Sequence, residues 1–390
     1  MSGTRSIRTK SRIRGRCFPG LRRPLCSTRV LTHWRKLASF PVNNPTTESE
    51  VIEVVRAHAR LLPVGGGTKP QLGPIHENTH RLDLRRLTGI TEYQSSEYTF
   101  TARAGTPLQE IHETLGGKGQ YLPFDPLWPE AGATLGGTVA ANAAGPGRLR
   151  FGGLRDFIIG VRLVDGRGQV IRGGGKVVKN AAGFDLPKLM VGSLGRWGVM
   201  TEICCKVFPK PIAWSSREWV FSDHESALAK ALELSRSRFE PDAIEYLPAE
   251  CRLVLRMGGP AESLPALNNA VGGENGPDDT WWRQRKEFIW ANDSKALIRI
   301  ATSPRQVVPL LNALAADSDA RTQVSAAGNT VWVNTGEVSQ LDEILGSLQL
   351  TGLVHRGPST ALWLGLKSDQ KIDAALQAVF DPEHRFSDAG

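Results

Sequence analysis

Three clusters of small residues are the parts of this 390-residue chain whose types and spacing could do chemistry. The first is Gly65-Gly66-Gly67-Thr68. The second is the stretch 129–145, PEAGATLGGTVAANAAG, with four glycines, six alanines and no Lys or Arg. The third is Gly192-Ser193-Leu194-Gly195-Arg196-Trp197-Gly198. Gly and Ala carry little or no side chain to hold a ligand away, and Gly reaches dihedrals closed to other residues. Backbone N–H groups bared in this way can point at an anion, and a flat ring can lie against the same backbone. Each interior Gly costs roughly 0.5–1 kcal/mol relative to Ala, so so many need a compensating use. A long ligand with a diphosphate and two ring systems would provide one. A single GGG is explained as well by a tight turn. None of the clusters is a P-loop, because GGGTK lacks the preceding residues of that motif. None is a Rossmann fingerprint, because Lys69, Pro70 and Gln71 do not open a helix after the first cluster.

The elements that must position these clusters can be read around them. Thr47 and Glu50 read as a capping box opening a helix with Val51, Val55 and Leu62 on one face, ended by Pro63. Residues 61–64 form a short apolar strand running into the glycines. Arg81–Leu84 reads as a further short strand, and Tyr98–Arg103 alternates as a strand does. Thr106, Pro107 and Gln109 make a second helix start. Residues 157–164 and 169–172 are β-like and joined by the hairpin signal Asp165-Gly166-Arg167-Gly168. Val199, Thr201, Ile203, Cys205 and Val207 alternate along another strand. Pro209 and Pro211 then punctuate the chain. Beyond them, β-like runs near 252–257, 296–301, 330–334 and 361–366 intersperse with helical patterns near 224–236, 304–316 and 339–348, an α+β pattern. Residues 258–279 read as a loop or insertion.

Composition bounds the rest. With 40% hydrophobic and 22% charged residues the chain is of globular type, and no apolar run reaches the roughly 20 residues a membrane-spanning helix needs. The net charge of +9 belongs to a tail: residues 1–37 hold eleven Lys or Arg and no acid, which leaves 37 basic against 39 acidic residues in the remainder. A nucleic-acid surface on the folded body is therefore not expected. The tail reads as a transit peptide, a basic arm for a membrane surface or partner, or sequence upstream of a later start. Cys17, Cys26, Cys204, Cys205 and Cys251 show no CxxC spacing, so neither a zinc site nor an iron–sulfur cluster is expected.

The segments PVGGGTK, TLGGTVAANAAGPGRLRFGGLRDFIIGVRLV and KVVKNAAGFDLPKLMVGSLGRWGVMTE resemble, in order and spacing, the FAD-binding module of the p-cresol methylhydroxylase and vanillyl-alcohol oxidase type. The third block is closest to the smaller FAD-binding subunit, the E type, of bacterial glycolate oxidases, and TWWRQRKEF at 280–288 is similar to that subunit's Trp/Arg segment. The resemblance implies an α+β fold in which a two-subdomain FAD module precedes a smaller α+β second domain: 1–43 a basic disordered extension, 44–210 the FAD domain, 211–390 the second domain. It implies noncovalent FAD, with Gly65, Gly66, Gly67 and Thr68 on the pyrophosphate. Thr134, Gly136, Gly137, Ala140 and Ala141 would pass along the cofactor, and Gly195, Gly198 and Val199 would lie near its adenine or ribitol. Departures are Phe184, where the family has Tyr, and Arg196-Trp197, where it has Thr-Leu. The ending FDPEHRFSDAG also lacks the family's usual Asn-Pro-Gly-Lys/Arg.

Oxidation of a 2-hydroxy acid needs a cation for the carboxylate, a base for the hydroxyl proton and a hydride acceptor. Arg252, Arg256, Arg283 and Arg285 offer cations, with Arg285 the chosen substrate-binding residue. No histidine completes the set: His76 and His80 sit in a polar loop, His58 and His112 on helices, and His355 and His384 are isolated. The catalytic residues stay unassigned and no metal is expected. The resemblance then implies one FAD-binding subunit of a multi-subunit glycolate oxidase, working beside a larger FAD-binding catalytic subunit and an iron–sulfur subunit. A self-sufficient FAD enzyme acting on another hydroxy acid, alditol or lactone is the alternative, and a structural subunit that has lost FAD is a third. The expected location is the cytoplasm, at the inner-membrane surface, or an organelle if the tail is a transit peptide.

Overall fold

The computed structural model describes residues 41–69, 78–175, 185–359, 361–366 and 370–386. The basic tail, His76 and Phe184 lie outside the described residues.

Four sheets carry the fold. The first is parallel, with strand His80–Asp83 between Val42–Asn43 and Leu61–Val64. Helix Glu48–Ala57 packs on it. Thr47 caps this helix by accepting from the Glu50 N–H at 3.2 Å. Val51 and Val55, one turn apart, are fully buried with Leu61, Leu82 and Phe386. The Glu50 carboxylate accepts from the Thr46 N–H, one residue earlier than a capping box places it, and the helix ends at Ala57, well before Pro63.

The second sheet is antiparallel, in the order Ile90–Gln94, Thr99–Arg103, Val199–Lys206, Ile158–Val164, Val170–Gly174. Asp165–Gly168 closes the expected hairpin, the Gly168 N–H donating to the Asp165 carbonyl. Val199–Lys206 is central and covered on both faces, so Met200 and Cys204 are buried along with the alternating set. Helix Leu108–Gly116 starts where Pro107 predicts, but the Thr106 hydroxyl donates to the Arg103 carbonyl instead of capping it. A two-stranded ribbon, Gln120–Tyr121 with Phe208–Pro209, is the third sheet.

Among the described residues every strand after residue 212 joins one nine-stranded sheet, so the region expected to be the smaller unit holds the largest described sheet. Its order is Glu274–Asn275, Ala213–Val220, Arg252–Gly259, Ala243–Leu247, Arg321–Ser325, Thr330–Thr335, Ala296–Ala301, Thr351–Arg356, Trp363–Gly365. Helices His224–Ser235, Pro304–Leu314 and Val338–Ser347 bury Leu228, Leu310 and Leu345 against it. The stretch 258–279, read as a loop, contains helix Leu264–Val271 and the edge strand Glu274–Asn275. Pro at the start of that helix and Gly272 just past it give a short helix the sequence signature of a turn.

The chain's end returns to the first sheet. The Leu61 N–H donates to the Arg385 carbonyl, Leu61 and Phe386 form a parallel bridge, and Phe386 is buried. The Arg385 guanidinium donates to the Val55 and His58 carbonyls. The final segment therefore supports the strand that leads into Gly65, without the family's usual ending.

Candidate functional site

The second and third small-residue clusters are tied to each other by backbone hydrogen bonds, and the first packs directly against the second. The N–H groups of Leu135 and Gly136 donate to Thr106 and Ala104, and those of Gly192 and Leu194 donate to Val139 and Ala140. Thr134 caps the short helix Leu135–Ala140 through Gly137. Part of the bareness serves this mutual packing. A Cβ on Gly66 would lie 1.8 Å from the Gly132 carbonyl oxygen, and one on Gly65 would lie 2.2 Å from the Thr134 hydroxyl oxygen. The rest opens into a cleft of about 860 Å³. All twelve residues singled out in the sequence, Gly65 to Thr68, Thr134, Gly136, Gly137, Ala140, Ala141, Gly195, Gly198 and Val199, line it.

The cleft has further walls that the sequence did not reveal. Leu353, Val354 and His355 enter from the nine-stranded sheet, and Lys69 follows the first cluster. His355 is buried against the rings of Trp128 and Trp332, which also touch each other, and its Nε2 has no hydrogen-bond partner. Burial, together with Arg299, Lys69 and Arg356, holds this imidazole well below its ordinary pKa, so it is neutral. Lys69 Nζ donates to the Thr68 hydroxyl at 3.0 Å and sits over the Trp128 ring. Burial, with Arg356 beside it, lowers its pKa to about 7. Arg356 covers the same ring and donates to the Thr68 carbonyl. Neither cation has a carboxylate within ion-pair distance among the described residues. One cation on the cleft wall with no carboxylate at ion-pair distance, Lys69, a bare backbone and an orphaned imidazole nitrogen together fit a long anionic ligand carrying rings, while Arg356 behind them feels Asp293 and Glu287.

Other candidates fall elsewhere. Arg285 lines a separate pocket of about 260 Å³ with Arg148, Gln323, Ser325 and Trp332. Its neighbour Glu245 is buried and accepts from Gln323 and Ser325; burial lifts its carboxyl to about 7. Arg252 pairs with Glu218 and Glu250, and Arg256 is buried in an ion pair with Asp125. The Arg196 side chain is largely enclosed and pairs with Asp373 at 3.2 Å, while Trp197 is core. His80 stacks on His58, just past the helix end, at 3.8 Å. Among the described residues no group of three His, Cys, Asp or Glu could hold a metal ion. No described helix is long and apolar enough to cross a membrane.

Comparison with known proteins agrees with the cleft. Residues 41–174 match the FAD binding domain family. The chain is 38% identical over 243 residues to the glycolate oxidase subunit GlcE of Escherichia coli K12, a match covering 62% of this chain and 67% of that protein. It is 30% identical to glycolate oxidase subunit GlcD of Bacillus subtilis, over 57% of this chain and 46% of GlcD. It is 31% identical to a D-2-hydroxyglutarate dehydrogenase of Xanthomonas citri, over 43% and 36%. The chain thus spans two thirds of the length of GlcE and under half that of the other two. The solved structure of an alkyldihydroxyacetonephosphate synthase shares the fold, with TM-score 0.68 at 17% identity, over 88% of this chain and 76% of that one. The chain belongs to the p-cresol methylhydroxylase-type family of FAD-dependent oxidoreductases that includes the glycolate oxidase subunit GlcE, and its cofactor is FAD.

Proposed function

We propose that this chain is the noncovalent FAD-carrying subunit of a multi-subunit oxidase of glycolate or a similar 2-hydroxy acid. A larger FAD-binding chain would bind and oxidise substrate, and an iron–sulfur chain would carry electrons onward, at the cytoplasmic face of the membrane. The observation that carries the FAD assignment is the convergence of three clusters, far apart in sequence, on one cleft with the buried cation Lys69 in its wall. The similarity to GlcE supports the subunit role. In this reading the FAD unit ends near residue 210 and the second unit follows, with the end of the chain closing back on the first. Gly65 to Thr68 and Lys69 hold the diphosphate, Thr134 to Ala141 support the length of the cofactor, and Gly195 to Val199 close its far side. FAD supplies a two-electron acceptor when bound.

His355 favours a second reading, a chain that turns over substrate by itself. A neutral, unpartnered Nε2 on a residue that lines the cleft would accept a hydrogen bond from a substrate hydroxyl and orient it. One experiment separates the two. Tagged chain is recovered from its own cells and assayed with an artificial dye acceptor, alone and with its co-purifying chains. The subunit reading expects a second flavoprotein and an iron–sulfur protein to co-purify, and glycolate turnover only with them. Full turnover by the isolated chain overturns it.

A further inference from the structure

Away from the FAD cleft, a cavity of about 1110 Å³ lies where the two units meet. One side is helix Leu108–Gly116, the segment 120–126 and Lys210; the other is Trp214, Arg256 and helix Asp279–Glu287. Four cations line it, Lys210, Arg256, Arg283 and Lys286, against two carboxylates, Asp125 and Asp279. Asp125 is already committed, to Arg256 and, at 3.5 Å, to Lys286. Among the described residues the Lys210 side chain makes no hydrogen bond or ion pair, and Arg283 reaches only the Thr280 hydroxyl, at 3.3 Å. Arg256 is 6% exposed and held between the Trp214 and Trp282 rings, and its Nε has no partner. His112, which the sequence placed on a helix, borders the same space; burial and the nearby Lys286 lower its pKa to about 4. A cavity with net charge +2, a buried donor left open and two unpaired cations at its rim is incomplete without an anion.

We propose that this cavity is a second ligand site, for a small organic dianion such as a dicarboxylate or a phosphate ester. Lys286 and His112 face one anionic group, and Lys210 and Arg283 the other. The site is coupled to the FAD cleft through one helix. The Lys286 carbonyl accepts from the Trp128 N–H, and the Glu287 carboxylate accepts from Glu130 and Ala131, which lead directly to Thr134. The inference does not depend on the subunit reading.

The test uses the full chain loaded with FAD. Succinate and glycerol 3-phosphate are titrated by calorimetry, with propionate as monoanion control, on wild type, Lys210→Gln and Arg283→Gln. Both substitutions are at the rim, outside the cleft, and leave flavin content unchanged. The expected result is 1:1 saturable binding of at least one dianion, at least tenfold tighter than propionate and weakened at least tenfold in either variant. Saturating dianion should also change FAD affinity measurably, by the factor with which FAD changes dianion affinity. Absence of saturable binding, equal affinity for propionate, or undiminished affinity in both variants overturns the site; unchanged FAD affinity overturns the coupling.

Discussion

The small-residue cleft and the basic cavity beside helix Leu108–Gly116 are built in opposite ways. The cleft is made of backbone: loops packed so closely that a methyl group on Gly66 would overlap the Gly132 carbonyl. The cavity is made of long charged and aromatic side chains held by an ion pair, Asp125 with Arg256 and Lys286. A backbone site tolerates almost no added volume, whereas a side-chain site tolerates volume and fails on charge. Substitutions in the two regions should therefore fail differently.

The largest effect is expected at Asp125. Burial opposes its charge, yet Arg256 and Lys286 outweigh burial and hold the carboxyl below its ordinary range. Asp125→Ala leaves Arg256 buried without its hydrogen-bonded ion-pair partner and should cost about 3–5 kcal/mol of stability, read by denaturant unfolding. Because the native pKa is lowered, the contribution is full above the ordinary Asp pKa and is lost as pH falls through the native value. A loss under 1 kcal/mol would mean that the cavity wall does not depend on this pair.

Next is Gly66→Val, in the cleft. Overpacking against fixed backbone should cost about 1–3 kcal/mol of FAD binding, up to roughly a hundredfold in Kd. Wild-type FAD affinity in this variant would contradict the backbone character of the site.

Lys69 gives a smaller, pH-dependent effect. Its folded pKa of about 7 lies far below its ordinary value, so without ligand it sheds its proton as pH rises through 7. A bound anion restores that proton, so FAD affinity should fall above pH 7 by up to about tenfold per unit. Lys69→Met should flatten this slope. A slope that persists in Lys69→Met would assign it to another group.

The smallest effect is expected at Arg285. It lies in the separate pocket beside Ser325 and Trp332, so Arg285→Met should change FAD affinity less than about twofold, within the usual reach of a substitution distant from a ligand. A larger change would join that pocket to the cleft.

The same contrast explains what could be read from the sequence. Gly65–Thr68, 132–145 and Gly192–Gly198 announce themselves because a backbone site concentrates small residues in consecutive runs. The Thr47 cap and the Asp165–Gly168 hairpin were legible because their chemistry is local. Strands Ala243–Leu247 and Thr351–Arg356 were missed: the first is buried on both faces, and the second is apolar at its centre, so neither alternates. His355 was passed over for the same reason, as a lone histidine in an apolar run. Its meaning comes from Lys69 and Trp128, which only tertiary structure brings to it. The basic cavity draws His112, Lys210, Arg256 and Lys286 from four separate segments, and no window of sequence contains it.

The central claim is that the three clusters form one noncovalent FAD cleft. Its most direct test is the flavin content of the full chain after gel filtration and denaturation. The account predicts one FAD per chain, released entirely into the supernatant. Flavin that stays with the precipitated protein, or a chain that binds no FAD when reconstituted, would contradict it.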